Sequence, residues 1–563
     1  MCGIFVLAEF MHPNYPAGQD LEDLSRIRSE LRRVNACRGP DDQKSISLSW
    51  SQLPFSVDGS NNNLHMSTFM IDFYASELRL RGGGPIVQPH ARGKNILCWN
   101  GEISAQENDG VKLFDILCAA QTPEEIRDIF SSIEGPYEKS DRLYFGRDPL
   151  GRRSLLVHRP TQTAPYLILS SVSAGADPAY AFSELSTEHL YSMMMGSWES
   201  FSNAEPAKVN TLIPSEDLPL IESLDDIPRH LVQTVDDFVS HLDKSVQLCV
   251  QNIPRHSSKP RIGVLFSGGI DSTILAFLAH RHIPQDEPID LLNVAFENPR
   301  KIRIQKEGNI GGISRHRIKA GTTHENKYTI ECVSYLVPDR VTGLMELEEL
   351  RRLCPGRTWN FVEVNVPYEE CQAARPVVES LMHPGKTVMD LVCFQSLALA
   401  LYFASGGKGR IRKTPESQPE PYTSEAKVLL NGLGSDELLG GYGRHRSVYK
   451  TGGWEAVVAE LQQEIDRIPT RNLGRDDRVI SSHGKETRHP FLSLSLVAFL
   501  ASLPINFKMD PRVEVGLGDK TLLRLAARKL RLVEASSRKK RAMQFGSHSA
   551  RMDGERRGDV ELE

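Results

Sequence analysis

The residues whose types and spacing suit them to chemistry fall in two places. Near the start, Cys2 follows Met1, and removal of Met1 puts a free α-amine on the residue that also carries a thiol. An α-amine titrates near pH ~7.7–8.0, so it accepts the thiol proton at neutral pH and joins nucleophile and base in one residue. Further pieces follow in order. Arg79, in a Leu-Arg-Leu run, offers a planar fork suited to a carboxylate. Asn100 and Gly101, ahead of Glu102, offer a side-chain amide and a backbone N–H that form an oxyanion hole for a tetrahedral intermediate. Asp109 offers a carboxylate for a substrate ammonium group.

The second place is residues 264–273, VLFSGGIDST. Gly268 and Gly269 let the backbone approach a ligand, and successive N–H groups there make an anion-binding nest at the start of a helix. Ser267 and Ser272 bring hydroxyl donors, and Asp271 is a ligand for Mg²⁺. A lysine after the glycines is missing, so this is not the loop that grips β and γ phosphates. A later glycine-rich stretch, Asn431-Gly432-Leu433-Gly434-Ser435-Asp436, brings a second carboxylate, Asp436, to the same cation.

Elements must position these groups. An apolar run at 4–8 and short strand-like segments at 68–73, 95–99, 142–145 and 165–171 predict an antiparallel, sheet-rich first part over 1–200. Helices are expected at 114–120 and 124–133. Residues 201–235 are rich in Pro, Ser and acid without periodicity and read as a linker. From 236 to 548, a strand ending in 264–266 and strands at 289–296, 361–366 and 426–431 alternate with helices at 234–251, 341–353 and 387–404. That alternation predicts a doubly wound parallel α/β sheet, in which ligands bind beyond the carboxyl ends of the strands. VLFSGG and VLLNG both stop there. Polar stretches at 298–327 and 406–425 read as solvated, partly disordered insertions, with a basic lid or docking loop as the alternative. The tail from 549 to 563 is expected to be disordered.

The whole chain agrees with a soluble protein of more than one domain. It has 563 residues, 40% hydrophobic and 25% charged, with a net charge of -5 that favours neither nucleic acid nor acidic membranes. The nine cysteines are scattered singly, which argues against a disulfide framework and for a cytoplasmic setting. Neither a signal peptide nor a membrane span is evident in the pattern.

MCGI, Arg38-Gly39-Pro40, Arg79, Asn100-Gly101-Glu102 and Asp109 together resemble the class II glutamine amidotransferases. The resemblance implies an αββα N-terminal-nucleophile sandwich. It makes Cys2 the nucleophile, Asn100 and Gly101 the oxyanion hole, and Arg79, Asn100, Glu102 and Asp109 the holders of glutamine. SGGIDS is similar to the pyrophosphate loop of enzymes that cleave ATP between the α and β phosphates. NGLGSDE with GGY, ETRHPFL and GDKTLLR are similar to stretches of asparagine synthetase in the same order. DEPIDLLNVAF, RNLGRDDRVI and KRAMQFGS resemble one branch of that family. This resemblance implies ATP contacts from Leu265, Phe266, Ser267, Gly268, Gly269, Asp271, Ser272, Val294 and Gly432. It also implies Mg²⁺ held by Asp271 and Asp436, with glutamine, aspartate and ATP as substrates. A homodimer is the assembly allowed for. FGRDPLGRR matches a family segment read as structural.

Three positions depart from the family. A catalytic Glu becomes Leu433, which accepts no proton; a late Lys aligns with Ala542, beside Lys539, Lys540 and Arg541; and PFLD becomes PFLS at Ser493. Three readings therefore stand: an asparagine-forming amidotransferase, an adenylating amidotransferase acting on another carboxylate, and a nucleotide-binding scaffold without turnover.

Overall fold

The computed structural model describes residues 2–11, 19–51, 68–80, 87–101, 109–120, 122–131, 137–139, 142–194, 197–202, 212–213, 219–254, 259–297, 335–385, 395–413 and 417–550. The 298–327 stretch and the tail beyond 550 lie outside these residues, as does Glu102.

The first part runs β1 (Cys2–Met11), α1 (Gln19–Ala36), β2 (Asp42–Ser51), β3 (Thr68–Glu77), β4 (His90–Arg92), β5 (Asn95–Leu97), α2 (Asp109–Ala119), α3 (Pro123–Ser131), β6 (Tyr137–Lys139), β7 (Arg142–Phe145), β8 (Leu156–His158), β9 (Tyr166–Ser170), β10 (Ser183–Glu184), β11 (His189–Met194) and β12 (Ser197–Ser202). They form two antiparallel sheets, ordered β10-β8-β9-β1-β3-β2 and β12-β11-β7-β6-β5-β4. Strand alternation decides the layers. Ile4, Val6 and Ala8 of β1 share a core with Phe145 and Met193 of the second sheet. Phe5 and Leu7, pointing the other way, pack with Leu24, Ile27 and Leu31 of α1. On the far side Leu113 and Leu117 of α2 meet Leu97 and Leu190. Helix, sheet, sheet and helix are thus stacked, and Cys2 sits at the end of a central strand, opposite Glu77.

The second part runs α4 (Val232–Val250), β13 (Ile262–Leu265), α5 (Ile270–His282), β14 (Ile289–Phe296), α6 (Pro338–Leu353), β15 (Trp359–Val366), α7 (Tyr368–Met382), α8 (Gln395–Gly406), β16 (Lys408–Ile411), β17 (Glu420–Thr423), β18 (Val428–Leu430), α9 (Ser435–Leu439), α10 (Gly443–Ile468), α11 (Gly474–Ser481), β19 (Glu486–Arg488), α12 (Leu494–Ala501), α13 (Ile505–Lys508), α14 (Thr521–Lys529), α15 (Val533–Ser536) and α16 (Met543–Gly546). One sheet, ordered β17-β16-β15-β14-β13-β18-β19, carries them. β13, β14, β15, β18 and β19 pair in parallel. Val264, Leu291 and Leu430 face one core with α4 and α5, while Leu265, Leu292 and Leu429 face another with α7, α8 and α11. Both faces are therefore covered by helices, as parallel sheets require.

Three expectations change. The stretch 406–425, read as a solvated insertion, contributes β16 and β17, which extend the sheet antiparallel to β15. Its Lys, Arg and Pro content hid an edge hairpin, since edge strands tolerate such residues. Within the stretch read as a linker, Ile221, Leu224 and Leu231 are buried in the second part's core. β19 was not read as a strand because its residues, Glu486, Thr487 and Arg488, are polar; all three are buried, and Arg488 Nε donates to Glu486 Oε1 at 2.6 Å.

Candidate active sites

The strand carrying Cys2 and the loop after β5 meet at the first site. Cys2 N donates to Asn100 Oδ1 at 3.0 Å, which leaves the Asn100 Nδ2 amide buried without a hydrogen-bond partner among the described residues. An unsatisfied buried donor beside a thiol is the arrangement an oxyanion needs, because the donor gains its bond only as charge develops. Gln88, which sequence reasoning missed, donates from Nε2 toward Cys2 Sγ at 3.5 Å. It is itself locked by Trp99 N and by Glu77 Oε1, at 2.6 and 2.8 Å. Burial pushes the Cys2 thiol up to about 11; the chain's amino-terminal charge opposes this, and Glu77 and Glu486 add to it. A thiol so placed needs a base at hand, and none of its described partners is one.

Arg38 ties this site to the rest of the molecule. Fully buried, it donates from Nε to Cys2 O at 3.4 Å and from its terminal nitrogens to Ser481 Oγ at 2.6 Å and Asp477 Oδ2 at 2.7 Å. Arg79 lies nearby, but its guanidinium pairs with Asp42 at 2.5 Å and stays half-exposed. Asp109 opens α2, and Gly101 follows Asn100 at the end of the described loop.

At the second site β13 and β18 lie side by side, so both glycine-rich loops leave from adjacent carboxyl ends. Gly268 has a φ of +77°, and a Cβ there would fall 2.4 Å from Gly343 N of α6, so only glycine lets α6 close over the loop. Thr342 Oγ1 donates to Ser267 O at 3.1 Å from the same helix. Ser267 Oγ accepts from Gly269 N at 3.3 Å, and the Ser272 hydroxyl turns back to Gly269 O at 3.1 Å, capping the loop from within. Phe266 O accepts from Asn293 Nδ2 at 2.8 Å. Leu265 and Val294 are buried in one apolar cluster. Gly432 packs its α carbon on Asp271: a Cβ there would lie 2.8 Å from Asp271 Cβ.

The two candidate metal ligands come together through a residue whose role the sequence did not disclose. Lys520 Nζ donates to both Asp271 oxygens, at 2.7 and 2.8 Å, and to Ser435 Oγ at 3.0 Å. It also stands 2.7 Å from Asp436 Oδ1, a charge contact rather than an aligned hydrogen bond. Gly441 makes the room, since a Cβ there would lie 2.4 Å from Lys520 Cε and 1.9 Å from Asp436 Oδ1. Lys540 binds the other oxygen of Asp436. Thus Ala542 carries no charge, yet its segment still delivers a cation to this site. Burial alone would raise the Asp436 carboxyl, but Lys520 and Lys540 hold it far below the usual range. Burial likewise works against the Lys540 charge, and Asp436 and Asp271 raise its pKa nonetheless. Two carboxylates converging on one ammonium nitrogen define a seat for a single cation. Among the described residues no group of three His, Cys, Asp or Glu forms a metal cage, so a Mg²⁺ ion on these two carboxylates would complete its shell with water and phosphate oxygens. Leu433, where the family has its Glu, packs against the apolar core.

The segments that join the two sites include the FGRDPLGRR and RNLGRDDRVI stretches. Asp477 Oδ2 accepts from Arg38 and from Ser154 N, at 2.7 and 3.1 Å, and Arg153 donates to Thr487 O at 2.7 Å. Arg147 reaches Pro469 O at 3.1 Å, and Arg478 reaches Ser154 Oγ at 2.9 Å and also Glu184.

Comparison with known proteins gives this chain its relatives. The family model described as asparagine synthase matches residues 241–308 and 448–561. Asparagine synthetase domain-containing protein 1 of Gallus gallus is 32% identical over 98% of this chain and 98% of its own length. Its Homo sapiens counterpart is 35% identical over 85% of this chain and 88% of its own. A putative glutamine-hydrolyzing asparagine synthetase of Methanocaldococcus jannaschii is 42% identical over 84 residues, 15% of this chain and 16% of its own. The chain belongs to the family of the asparagine synthetase domain-containing proteins.

Proposed function

We propose that this protein is an ATP-dependent, glutamine-hydrolysing amidotransferase that forms asparagine from aspartate. The observation that carries the reading is the meeting of Asp271 and Asp436 on one ammonium nitrogen at the carboxyl ends of adjacent strands. Such a seat suits a nucleotide whose charge replaces what the lysines now balance.

In this reading the Cys2 sulfur attacks the side-chain amide carbon of glutamine after its proton passes to the α-amine of the same residue. The developing oxyanion takes the free Asn100 Nδ2 donor and the Gly101 N–H. Collapse releases ammonia, and water frees glutamate. At the second site the β-carboxylate of aspartate attacks the α-phosphorus of ATP and pyrophosphate leaves. The nest at Ser267, Gly268 and Gly269 holds phosphate oxygens, and Lys520 and Lys540 follow the negative charge onto the leaving group. Mg²⁺, held by Asp271 and Asp436, supplies charge neutralisation at the phosphates when bound. Ammonia then displaces AMP to give asparagine. The acyl adenylate and the ammonia both have to be kept from water, which the buried junction around Arg38, Arg153 and Asp477 favours.

Purified protein with glutamine, aspartate, ATP and Mg²⁺ is expected to give glutamate, asparagine, AMP and pyrophosphate in step. Cys2→Ala should abolish glutamine-driven turnover and leave ammonium-driven turnover in place. Folded protein that forms none of these products refutes the reading. Leu433 favours a second one, in which the adenylated carboxylate belongs to another acceptor. ATP–pyrophosphate exchange screened across carboxylic acids separates the two, because stimulation by aspartate alone excludes the second.

A further inference from the structure

Helix α6 buries three carboxylates with different fates. Glu346 accepts from Arg538 Nε at 2.7 Å, and Glu349 accepts from Glu534 N and Ala535 N at 2.8 and 3.1 Å, so both dock the helix against the C-terminal segment. Asp339, in the first turn, has no such use. It is 5% exposed, and its Oδ2 is buried without a hydrogen-bond partner among the described residues. Leaving a buried carboxyl oxygen without a hydrogen bond is unfavourable, so its retention calls for a reason.

The surroundings place this group beside the ATP site. Asn293 Nδ2 donates at once to Asp339 O at 3.0 Å and to Phe266 O at 2.8 Å, which fixes Asp339 relative to the residue that precedes the Ser267 loop. The next turn of α6 lies against Gly268. From the other side the C-terminal segment closes over it: Gly546 stands so near that a Cβ would fall 1.8 Å from Asp339 Oδ1. Lys540 and Arg541 are the cations that act on it, and Lys540 also binds Asp436. Burial, opposed by Arg541 and Lys540, pushes the Asp339 carboxyl up to about 7.

Amide formation at an acyl adenylate needs a proton acceptor, and Leu433 is none. We infer that Asp339 accepts the proton in the amide-forming step at the ATP site. The inference rests on the adenylating reading above. The nitrogen lone pair forms the C–N bond to the acyl carbon, and the acyl C–O bond to AMP breaks with its electron pair leaving on the phosphate. One proton of the ammonia passes to the Asp339 carboxylate. A carboxyl poised near neutrality does this best, since it is ionised before the step and still basic enough to take the proton.

The test uses the full chain and Asp339→Asn with aspartate as acceptor, and reads three quantities. ATP–pyrophosphate exchange should stay within about twofold of wild type, because adenylation does not use Asp339. Amide formation from ammonium chloride at pH 8 should fall ~10²–10⁴-fold. Hydroxamate formation from hydroxylamine, whose addition product sheds its proton without help, should be largely kept. Wild-type amide formation in the variant overturns the inference alone, as does loss of exchange in parallel with amide formation. Absence of aspartate-dependent exchange in the wild type overturns the adenylating reading and this inference with it. If the variant does not fold, the wild-type profile decides: with the free ammonia concentration held constant by adjusting total ammonium, amide formation should drop about tenfold per pH unit below about 7 while exchange does not. A profile in which the two run parallel overturns the inference.

Discussion

In the proposed reading the Cys2 thiol and the Asn100 amide each await a substrate. The thiol is pushed up to about 11 by burial, and the amide Nδ2 has no partner among the described residues. A donor reserved for the transition state adds little to ground-state binding, so its loss shows in turnover rather than in affinity. Asn100→Ala is accordingly expected to lower kcat for glutamine hydrolysis about 10²–10³-fold with KM nearly unchanged, as steady-state glutamate release measures. Legibility differs sharply between residues. Cys2, Asn100, Asp271 and Asp436 announce themselves because thiol, amide and carboxylate stand beside glycines in short local patterns. Gln88 and Lys520 do not, since each acts on a partner far along the chain: 86 residues for Gln88 and Cys2, 249 for Lys520 and Asp271. Nothing in the order of residues signals that Lys520 sits between two aspartates.

Elements with continuous apolar runs were legible and the others were not. β13, β14, β15 and β18 read directly from VLF, IDLLNVAF, FVEVNV and AKVLLN, because strands buried on both faces need such runs. β19 escaped notice because its burial is offset by charge pairing, and β16 and β17 because they lie at the sheet edge. The hairpin has a consequence for β15. By pairing with it, β16 occupies a ladder that would otherwise offer open N–H and C=O groups to other chains. Gly409 lies against β15, where a Cβ would fall 2.5 Å from Glu363 O. Gly409→Val should therefore unpair the hairpin. Hydrogen exchange is expected to quicken across residues 408–423 and along β15, with increased aggregation on warming, while glutamate release is unchanged. Exchange equal to wild type in both segments refutes this role for the pairing.

At the scale of the whole molecule, the two parts are joined by charge rather than by apolar contact alone. Asp477 is fully buried, and although burial works to raise it, Arg38 and Arg153 hold its carboxyl below the usual range. Removing one partner of such a pair leaves the other's charge uncompensated, at a cost of about 3–5 kcal/mol. Asp477→Asn, though it lies beside the second part's sheet, should lower thermal stability by that order. It should also reduce glutamine hydrolysis, because Arg38 holds the Cys2 carbonyl. The pH dependence has a definite sign. A carboxylate whose native pKa is lowered contributes stability that is fully present above its unfolded value, ~3.9, and is lost as pH falls through the lowered one. The stability gap between wild type and Asp477→Asn should thus be constant from about pH 6 to 8 and shrink below about pH 4. Denaturation midpoints across that series measure it, and a gap that widens on acidification contradicts the assignment. The sequence reading put two chemistries in order along the chain, but did not show that FGRDPLGRR and RNLGRDDRVI meet through Arg153 and Asp477.

Arg38 also bears on how the protein can be dissected. A fragment ending after β12 would keep Arg38 but lose Asp477 and Ser481, leaving a guanidinium where no solvent reaches in the intact chain. Such a piece turns the guanidinium to water without its partners and loosens its hold on Cys2 O, so an inert fragment would report the severed ion pair. The two parts must therefore stay in contact for the Arg38 charge to keep its partner.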